Sequence, residues 1–317
     1  MDLPSSSVPA RSAPIEQVSL RSRTRRRRRA GFIALCLLPS FVMMGLFNYY
    51  PLVSALYHSL FTWDGYTTPT YVGLKNFTQM ASDTAVLTSL KNLAILAVAA
   101  VAITMTLPLL AAELVLAVRQ ARVFKLYRAL LVIPIVVPQL VTLLIWQFMY
   151  DPSIGIIDVI LRTIGLGSPE WLGSPQLAIF AIIGIGFPWI AGLNFLLYLA
   201  ALQNIPAEIH EAGRLDGATG LRRVLALDVP LIAGQIRLLI TLALITVVQT
   251  FTSVWVLTQG GPGYATIVPG VALYQQAFTF GSFGYASAIG AMIFVITLLL
   301  TVLSNSTGSV LRRGRRD

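Results

Sequence analysis

Apolar positions along this chain gather into long stretches without charge, not into the two-residue alternation of half-buried strands. Residues 30–63, 92–112, 129–150, 171–207 and 238–311 contain no Asp, Glu, Lys or Arg. A charge costs several kcal/mol at the centre of a bilayer, so such gaps mark membrane spans. A helical span needs about 20 predominantly apolar residues. The last gap is too long for one helix. It is interrupted by Gln259-Gly260-Gly261-Pro262-Gly263-Tyr264, a density of Gly and Pro that signals a turn. Pro262 and Pro269 would also break a helix there. The pattern predicts six helices, near 31–56, 87–117, 124–149, 176–201, 236–258 and 285–306. Pro134, Pro138 and Pro188 are expected as kinks within them. The fold class is an all-α integral membrane protein.

Composition agrees. The chain of 317 residues is 56% hydrophobic and 11% charged, against about 25% charged in soluble domains. Net charge is +10, which raises the question of nucleic acid. The basic residues punctuate apolar runs and fill the tails, a pattern suited to anionic membrane surfaces. Basic residues also orient the spans. Eight Arg lie before residue 30, four basic residues in 119–128, four in 202–237 and four after 308. Only Lys75, Lys91 and Arg162 fall on the opposite side. Both termini are therefore expected in the cytoplasm.

Arg25 to Arg29 precede the first apolar run like the start of a signal peptide. No A-x-A-like cleavage site follows, and Leu35 is too large to precede a lipoprotein Cys at Cys36. The run is expected to stay as the first span. Segment 1–29, rich in Ser, Pro and Arg, is expected to be a disordered basic cytoplasmic tail. Segment 30–307 is expected to form the transmembrane domain, and 308–317 a second basic tail. Residues 57–86, with Trp63-Asp64-Gly65 and Pro69, are expected to form external turns and a short interfacial helix.

One segment does not read as a simple connection. Residues 202–235 join the fourth and fifth spans on the basic side and are long for a loop. Pro206 suits a first helical position and Glu208 the positive end of the helix dipole. Gly217 supplies a stop. A second helix is expected over 218–227, ended by Pro230. Ala212, Gly213, Gly217 and Ala218 leave the surface nearly bare, with Glu211, Arg214 and Asp216 beside it. Another backbone could approach closely there. A solvated loop with a local Glu211–Arg214 pair fits the same residues.

These residues resemble a known family. Ile205-Pro206, Glu211-Ala212 and Asp216-Gly217-Ala218 are similar to the EAA loop of ABC importer permeases in its sugar-type form. Gly213 stands where the family usually has a second Ala. The resemblance extends to Tyr50-Pro51-Leu52, to 72–77, to 128–134, to 199–203 and to Leu257-Thr258-Gln259-Gly260-Gly261-Pro262. It implies a coupling helix in the cytoplasmic loop, with Glu211, Ala212, Gly213, Asp216 and Gly217 touching an ATPase subunit. It further implies two ATP-binding subunits, a second permease and an extracytoplasmic solute-binding protein. Gly260, Gly261 and Pro262 are the expected contact with that binding protein.

No G-x-x-x-x-G-K-[ST] occurs in the sequence, so ATP and Mg are expected on the partner and no cofactor on this chain. One cysteine and two distant histidines offer neither an internal disulfide nor a His-based metal site. Trp189, Asn194, Gln249 and Phe251 combine aromatic faces and amides at membrane depth, the chemistry a sugar pathway needs. They would equally serve as packing residues and interhelical hydrogen bonds. Glu113 is expected to pair with Arg119 or Arg122. Gly184, Gly186 and Gly192 are expected to allow close packing. Amino acid, polyamine or phosphate cargo stays open beside sugar. A secondary transporter would want paired intramembrane charges or an internal repeat, and neither is evident. An intramembrane enzyme would want a Ser-His or His-Asp constellation, and the spans contain none.

Overall fold

The computed structural model describes residues 32–190 and 192–313. The expected tail 1–29 and residues 314–317 lie outside the described residues. The chain divides into two bodies, residues 1–54 and 55–317. In the first, helix α1 (Phe32–His58) runs on from its body to residue 58. Its side chains up to Phe47 are exposed on every face, Phe32, Leu35, Phe41 and Phe47 among them. A helix apolar all round belongs in lipid.

The second body opens with a two-stranded hairpin, β1 (Phe61–Thr62) against β2 (Thr70–Tyr71). Its turn is closed by Asp64, whose carboxylate accepts from the amides of Tyr66 and Thr67. The expected short helix follows as α2 (Lys75–Met80). Buried Asn76 donates to the carbonyls of Ser59 and Phe61 and so ties α2 to the hairpin.

Helix α3 (Thr84–Leu116) is the spine of the fold. Asp83 caps it by accepting from the amides of Ala85 and Val86. Two apolar cores pack along it. Near its start, Val86 and Leu96 join Ile179, Val254, Ile267, Val271 and Ile289. Near its end, Leu109, Ala112 and Val115 join Phe195, Tyr198, Leu202, Ile236 and Leu239. Lipid is as apolar as these side chains, so close van der Waals packing and hydrogen bonds must hold the helices together. Fully buried Ala112 lets neighbouring helices approach. The buried hydroxyl of Tyr198 donates to the carbonyl of Thr104 at 3.1 Å.

The expected third span is not one helix. α4 (Ala121–Val132) runs into a 3-10 turn at Ile133–Val136, and α5 (Gln139–Met149) leaves at 91°. Pro134 and Pro138 remove two backbone donors within five positions, which turns a kink into a corner. α6 (Ile156–Thr163) follows. The expected fourth span is broken as well. α7 (Ala178–Gly184) and α8 (Gly192–Gln203) are separated by irregular backbone. There Gly186 and Trp189 take positive φ, and the Phe187–Pro188 peptide is cis.

Beyond the loop described below, α11 (Ala233–Val248) and α12 (Thr252–Leu257) cover the fifth expected span. α13 (Pro269–Tyr274) is continued by a π-helical turn, Gln275–Thr279. α14 (Phe283–Arg313) ends the described chain. Among the described residues three helices are long and apolar enough to cross a membrane unbroken: Phe32–His58, Thr84–Leu116 and Phe283–Ser304. Two bent pairs could bring the number to five.

Two of the three glycines expected to allow packing do so. A Cβ on Gly184 would lie 2.5 Å from the Tyr150 hydroxyl. On Gly192 it would lie 2.8 Å from Ile135 Cγ1 and 2.9 Å from the Leu131 carbonyl. A Cβ on Gly186 would meet nothing within 4 Å; this glycine serves its positive φ of +81.

Candidate functional site

Three residue groups are singled out by the sequence, and the fold treats them differently. The first is the long basic-side loop. Its leading helix is α9 (Ala207–Leu215), with Pro206 at the N-cap in extended backbone, so the helix starts one position later than expected. The stop falls at Gly217 as expected, and its geometry is explicit. Gly217 takes φ +76. The amide of Ala218 donates to the carbonyl of Gly213 at 2.8 Å, and that of Gly217 to Arg214 at 3.1 Å. This is the paired 6→1 and 5→2 closure of a Schellman cap.

The second helix, α10 (Gly220–Leu231), runs longer than expected. Pro230 does not end it. A π-helical turn over Val224–Asp228, closed by the Val229 amide on the Val224 carbonyl, shifts the bonding by one residue. A proline without an N–H then fits the last turn. The chain bends by 77° into α11.

α9 has two faces. Glu208, Glu211, Ala212, Arg214, Leu215, Asp216 and Gly217 are exposed. Leu215 shows 90% of its surface, and Leu221 on α10 shows 73%. Glu211 makes no hydrogen bond or ion pair among the described residues, so the local Glu211–Arg214 pair of a solvated loop is not made. Gly213 points the other way. It is buried, and a Cβ there would lie 2.3 Å from Leu227 Cδ1. Its smallness therefore seats α9 on α10. The bare outer surface belongs to Ala212 and Gly217.

Behind α9 lies an ion network that sequence proximity misassigns. Glu113, near the end of α3, pairs with Arg223 and not with Arg119 or Arg122. Arg223 Nε also donates to Asp228 Oδ2 at 2.9 Å. His210 Nδ1 of α9 stands 3.6 Å from Asp228 Oδ1. Asp228 is fully buried and Glu113 is 6% exposed. Arg223 follows Glu113 by 110 positions. The available signal was two like charges at apolar positions, which must find a partner when buried.

The second group is the Gly-Gly-Pro segment. It is stitched into the fold and does not stand out as a flap. Gly260 is buried, and a Cβ there would touch Val271 and Ile267. Thr266 Oγ1 donates to the carbonyl of Gly261 at 2.8 Å. Asn92, 5% exposed in α3, donates to the carbonyls of Tyr264 and Ile267 at 3.1 and 3.0 Å. Pro262 is half-buried, while Gly263 and Tyr264 face outward. A buried acceptor left unsatisfied costs about 1–3 kcal/mol. Asn92→Leu strips two carbonyls at once. It is expected to lower the thermal midpoint in detergent and to open 259–268 to added protease, both readable on one gel series.

The third group is the four residues chosen for a sugar pathway. Trp189 donates its indole N–H to the carbonyl of Ile183 at 2.8 Å and meets Phe187 edge-on. It can offer a ring face but no donor. Asn194 is half-buried in α8, and Gln249 is exposed at the end of α11. Phe251 stacks on Trp255 with ring centroids 5.7 Å apart. None of the four lines the polar bowl of about 510 Å³ near Asp83, which is walled by Trp255, Gln259, Tyr264, Gln275 and Gln276. Sequence reading missed that bowl because its lining comes from three separate segments, near Asp83, 255–264 and 272–280.

Comparison with known proteins follows the same outline. Residues 105–314 match the family described as binding-protein-dependent transport system inner membrane component. The probable ABC transporter permease protein YurN of Bacillus subtilis is 30% identical over 85% of this chain and 93% of its own length. The sn-glycerol-3-phosphate transport system permease protein UgpA of Agrobacterium fabrum is 31% identical over 84% and 91%. The diacetylchitobiose uptake system permease protein NgcF of Streptomyces coelicolor is 31% identical over 81% and 76%. Among solved structures, a chain of a bacterial ABC transporter that imports the acidic polysaccharide alginate superposes with a TM-score of 0.77. It is 21% identical, covering 90% of this chain and 98% of that one. With α9 presented on the basic-side loop, apolar spans around α3 and these relatives across most of its length, the chain belongs to the inner membrane components of binding-protein-dependent ABC importers.

Proposed function

We propose that this chain is one of two permease subunits that pass a carbohydrate, or a related polyol or glycerol-phosphate compound, into the cytoplasm. ATP hydrolysed on separate subunits drives the passage. The observation that carries this reading is α9. It is a short, capped helix with Ala212 and Gly217 bare, Leu215 protruding, and Glu211 unpaired among the described residues. That combination suits a groove on another protein, into which Leu215 inserts beside the bare surface. The distribution of basic residues supports a cytoplasmic position for this face. Glu211, Ala212, Asp216 and Gly217 meet the ATP-binding subunit, and Gly213 holds α9 in position.

The cargo class rests on relatives. NgcF and UgpA carry diacetylchitobiose and sn-glycerol-3-phosphate in their names, and a trehalose/maltose permease, MalF of Thermococcus litoralis, is 35% identical over 60% of this chain. Trp189, Asn194, Gln249 and Phe251 supply ring faces and amides along the pathway. A solute-binding protein docks outside, at the surface that includes Pro262, Gly263 and Tyr264. A solved alginate importer complexed with its periplasmic protein supports such a partner.

The test is purification of the chain with its neighbours. Two ATP-binding subunits are expected to co-purify, and in liposomes ATP hydrolysis is expected to rise when a glycan-loaded binding protein is added. Stimulation by amino acid or phosphate alone would refute the cargo class. A complex without any ATP-binding subunit would refute the coupling.

A further inference from the structure

The ion network behind α9 joins three elements that the chain does not otherwise join rigidly. Loop 204–235 has soft points. Gly217 and Gly220 take positive φ of +76 and +52, and α10 bends by 77° into α11. A force on α9 would be absorbed at those joints if covalent connection alone carried it. Two contacts make α9 and α10 one body. Gly213 is seated under Leu227, and His210 faces Asp228 at 3.6 Å. A third contact fastens that body to the membrane. Arg223 bonds Asp228 on its own helix and Glu113 on α3 together. Arg has the planar fork for two carboxylates in different directions, which a lysine lacks.

α3 then continues to the opposite face as one helix, with Pro108 inside it. Asn92, about 31 Å from Glu113 along the helix at 1.5 Å per residue, holds the carbonyls of Tyr264 and Ile267. That distance is about the thickness of the hydrocarbon core. A clamp at one end and a latch at the other are what a connecting rod requires.

We propose that Glu113, Arg223 and Asp228, with His210, form a clamp that makes the cytoplasmic arm and α3 move together, so that α3 carries the arm's movement to the outer loop at 259–268. These are positioning residues: they transmit work through α3 and touch neither ATP nor solute. The proposal rests on the reading that α9 docks on an ATP-binding subunit.

The experiment uses the whole complex in liposomes and needs no identified solute. Cys36 is replaced by Ser, and Tyr264→Cys provides a single outward thiol for a membrane-impermeant maleimide. Labelling rates are compared without nucleotide and with ATP plus vanadate. In the otherwise unchanged complex the two rates are expected to differ at least about fivefold, the lower end of ordinary coupling between sites. Arg223→Gln is expected to erase that difference while ATP hydrolysis continues, and Arg223→Lys to restore part of it. Should Arg223→Gln fail to assemble, Glu113→Gln, nearly the same shape without the charge, is read instead.

An unchanged nucleotide response in an assembled Arg223→Gln complex overturns the clamp. So does loss of labelling response and hydrolysis together, or failure of both variants to assemble, since either marks a purely structural role. No nucleotide response in the parent complex overturns the rod. Absence of any ATP-binding subunit from the parent complex instead brings down the docking reading on which the proposal stands.

Discussion

Replacing Glu211 with tryptophan is expected to lower solute uptake by at least about tenfold, the effect of ~1.4 kcal/mol at the centre of an interface. The same variant is expected to reach the membrane at its normal level. Both halves follow from where Glu211 stands. It lies on the exposed face of α9, and no hydrogen bond or ion pair to it is made among the described residues. Neither α9 nor its seat on α10 depends on it. The helix is closed by the cap at Gly217 and seated through Gly213 on Leu227. A large ring beside bare Ala212 would hold a docked surface away and remove the negative charge at once. The measurements are radiolabelled uptake in cells and the amount of protein in washed membranes. Normal uptake with normal insertion would mean that this face docks nothing.

Gly284→Ala is expected to have the largest effect on stability. The glycine opens α14, and its amide donates to the carbonyl of Trp63 at 3.0 Å. A Cβ at this position would lie 2.0 Å from the Phe61 carbonyl oxygen and 3.0 Å from the Trp63 amide nitrogen. Both obstacles are backbone, so no rotamer relieves them. The hairpin cannot retreat easily, because Asn76 holds the carbonyls of Ser59 and Phe61. Overpacking a tight site costs about 1–3 kcal/mol and occasionally more, and this site belongs at the upper end. A midpoint about 10 °C lower is expected, measured by thermal aggregation of the detergent-solubilised protein.

The parts of this fold that could be read from sequence are those where charge bounds an apolar run. α3 and the apolar part of α14 fall within three residues of expectation, because each is one uninterrupted helix between polar ends. α9 was legible for a different reason: its stop depends on one glycine whose backbone no other residue takes comfortably. The corners were not legible. Hydropathy counts apolar residues and is blind to direction, so the 91° turn at Pro134–Pro138 and the break between Gly184 and Gly192 read as continuous spans. How the loop at 259–268 is anchored was hidden for a related reason. Its anchor, Asn92, opens an apolar stretch over 150 residues earlier, directly after Lys91, and a lone amide there gives no hint of its partner. Arg223 escaped in the same way. Arg119 and Arg122 are near Glu113 in the chain, but nearness in a helical membrane protein is decided by which helices pack.

The seating of α9 in a subunit that hydrolyses ATP is the central step of this chain's proposed function. The most direct measurement places a single thiol at its protruding tip, Leu215→Cys with Cys36→Ser, in the assembled complex. An aryl azide is attached to that thiol through a disulfide by exchange with a pyridyl disulfide, and on illumination, as the azide loses dinitrogen and inserts into the neighbouring protein, it is predicted to join this chain to the ATP-binding subunit in one covalent band that reducing agent dissolves. If no such band forms, and the chain reconstituted alone still carries solute across the membrane, the lever has no motor and the account is contradicted.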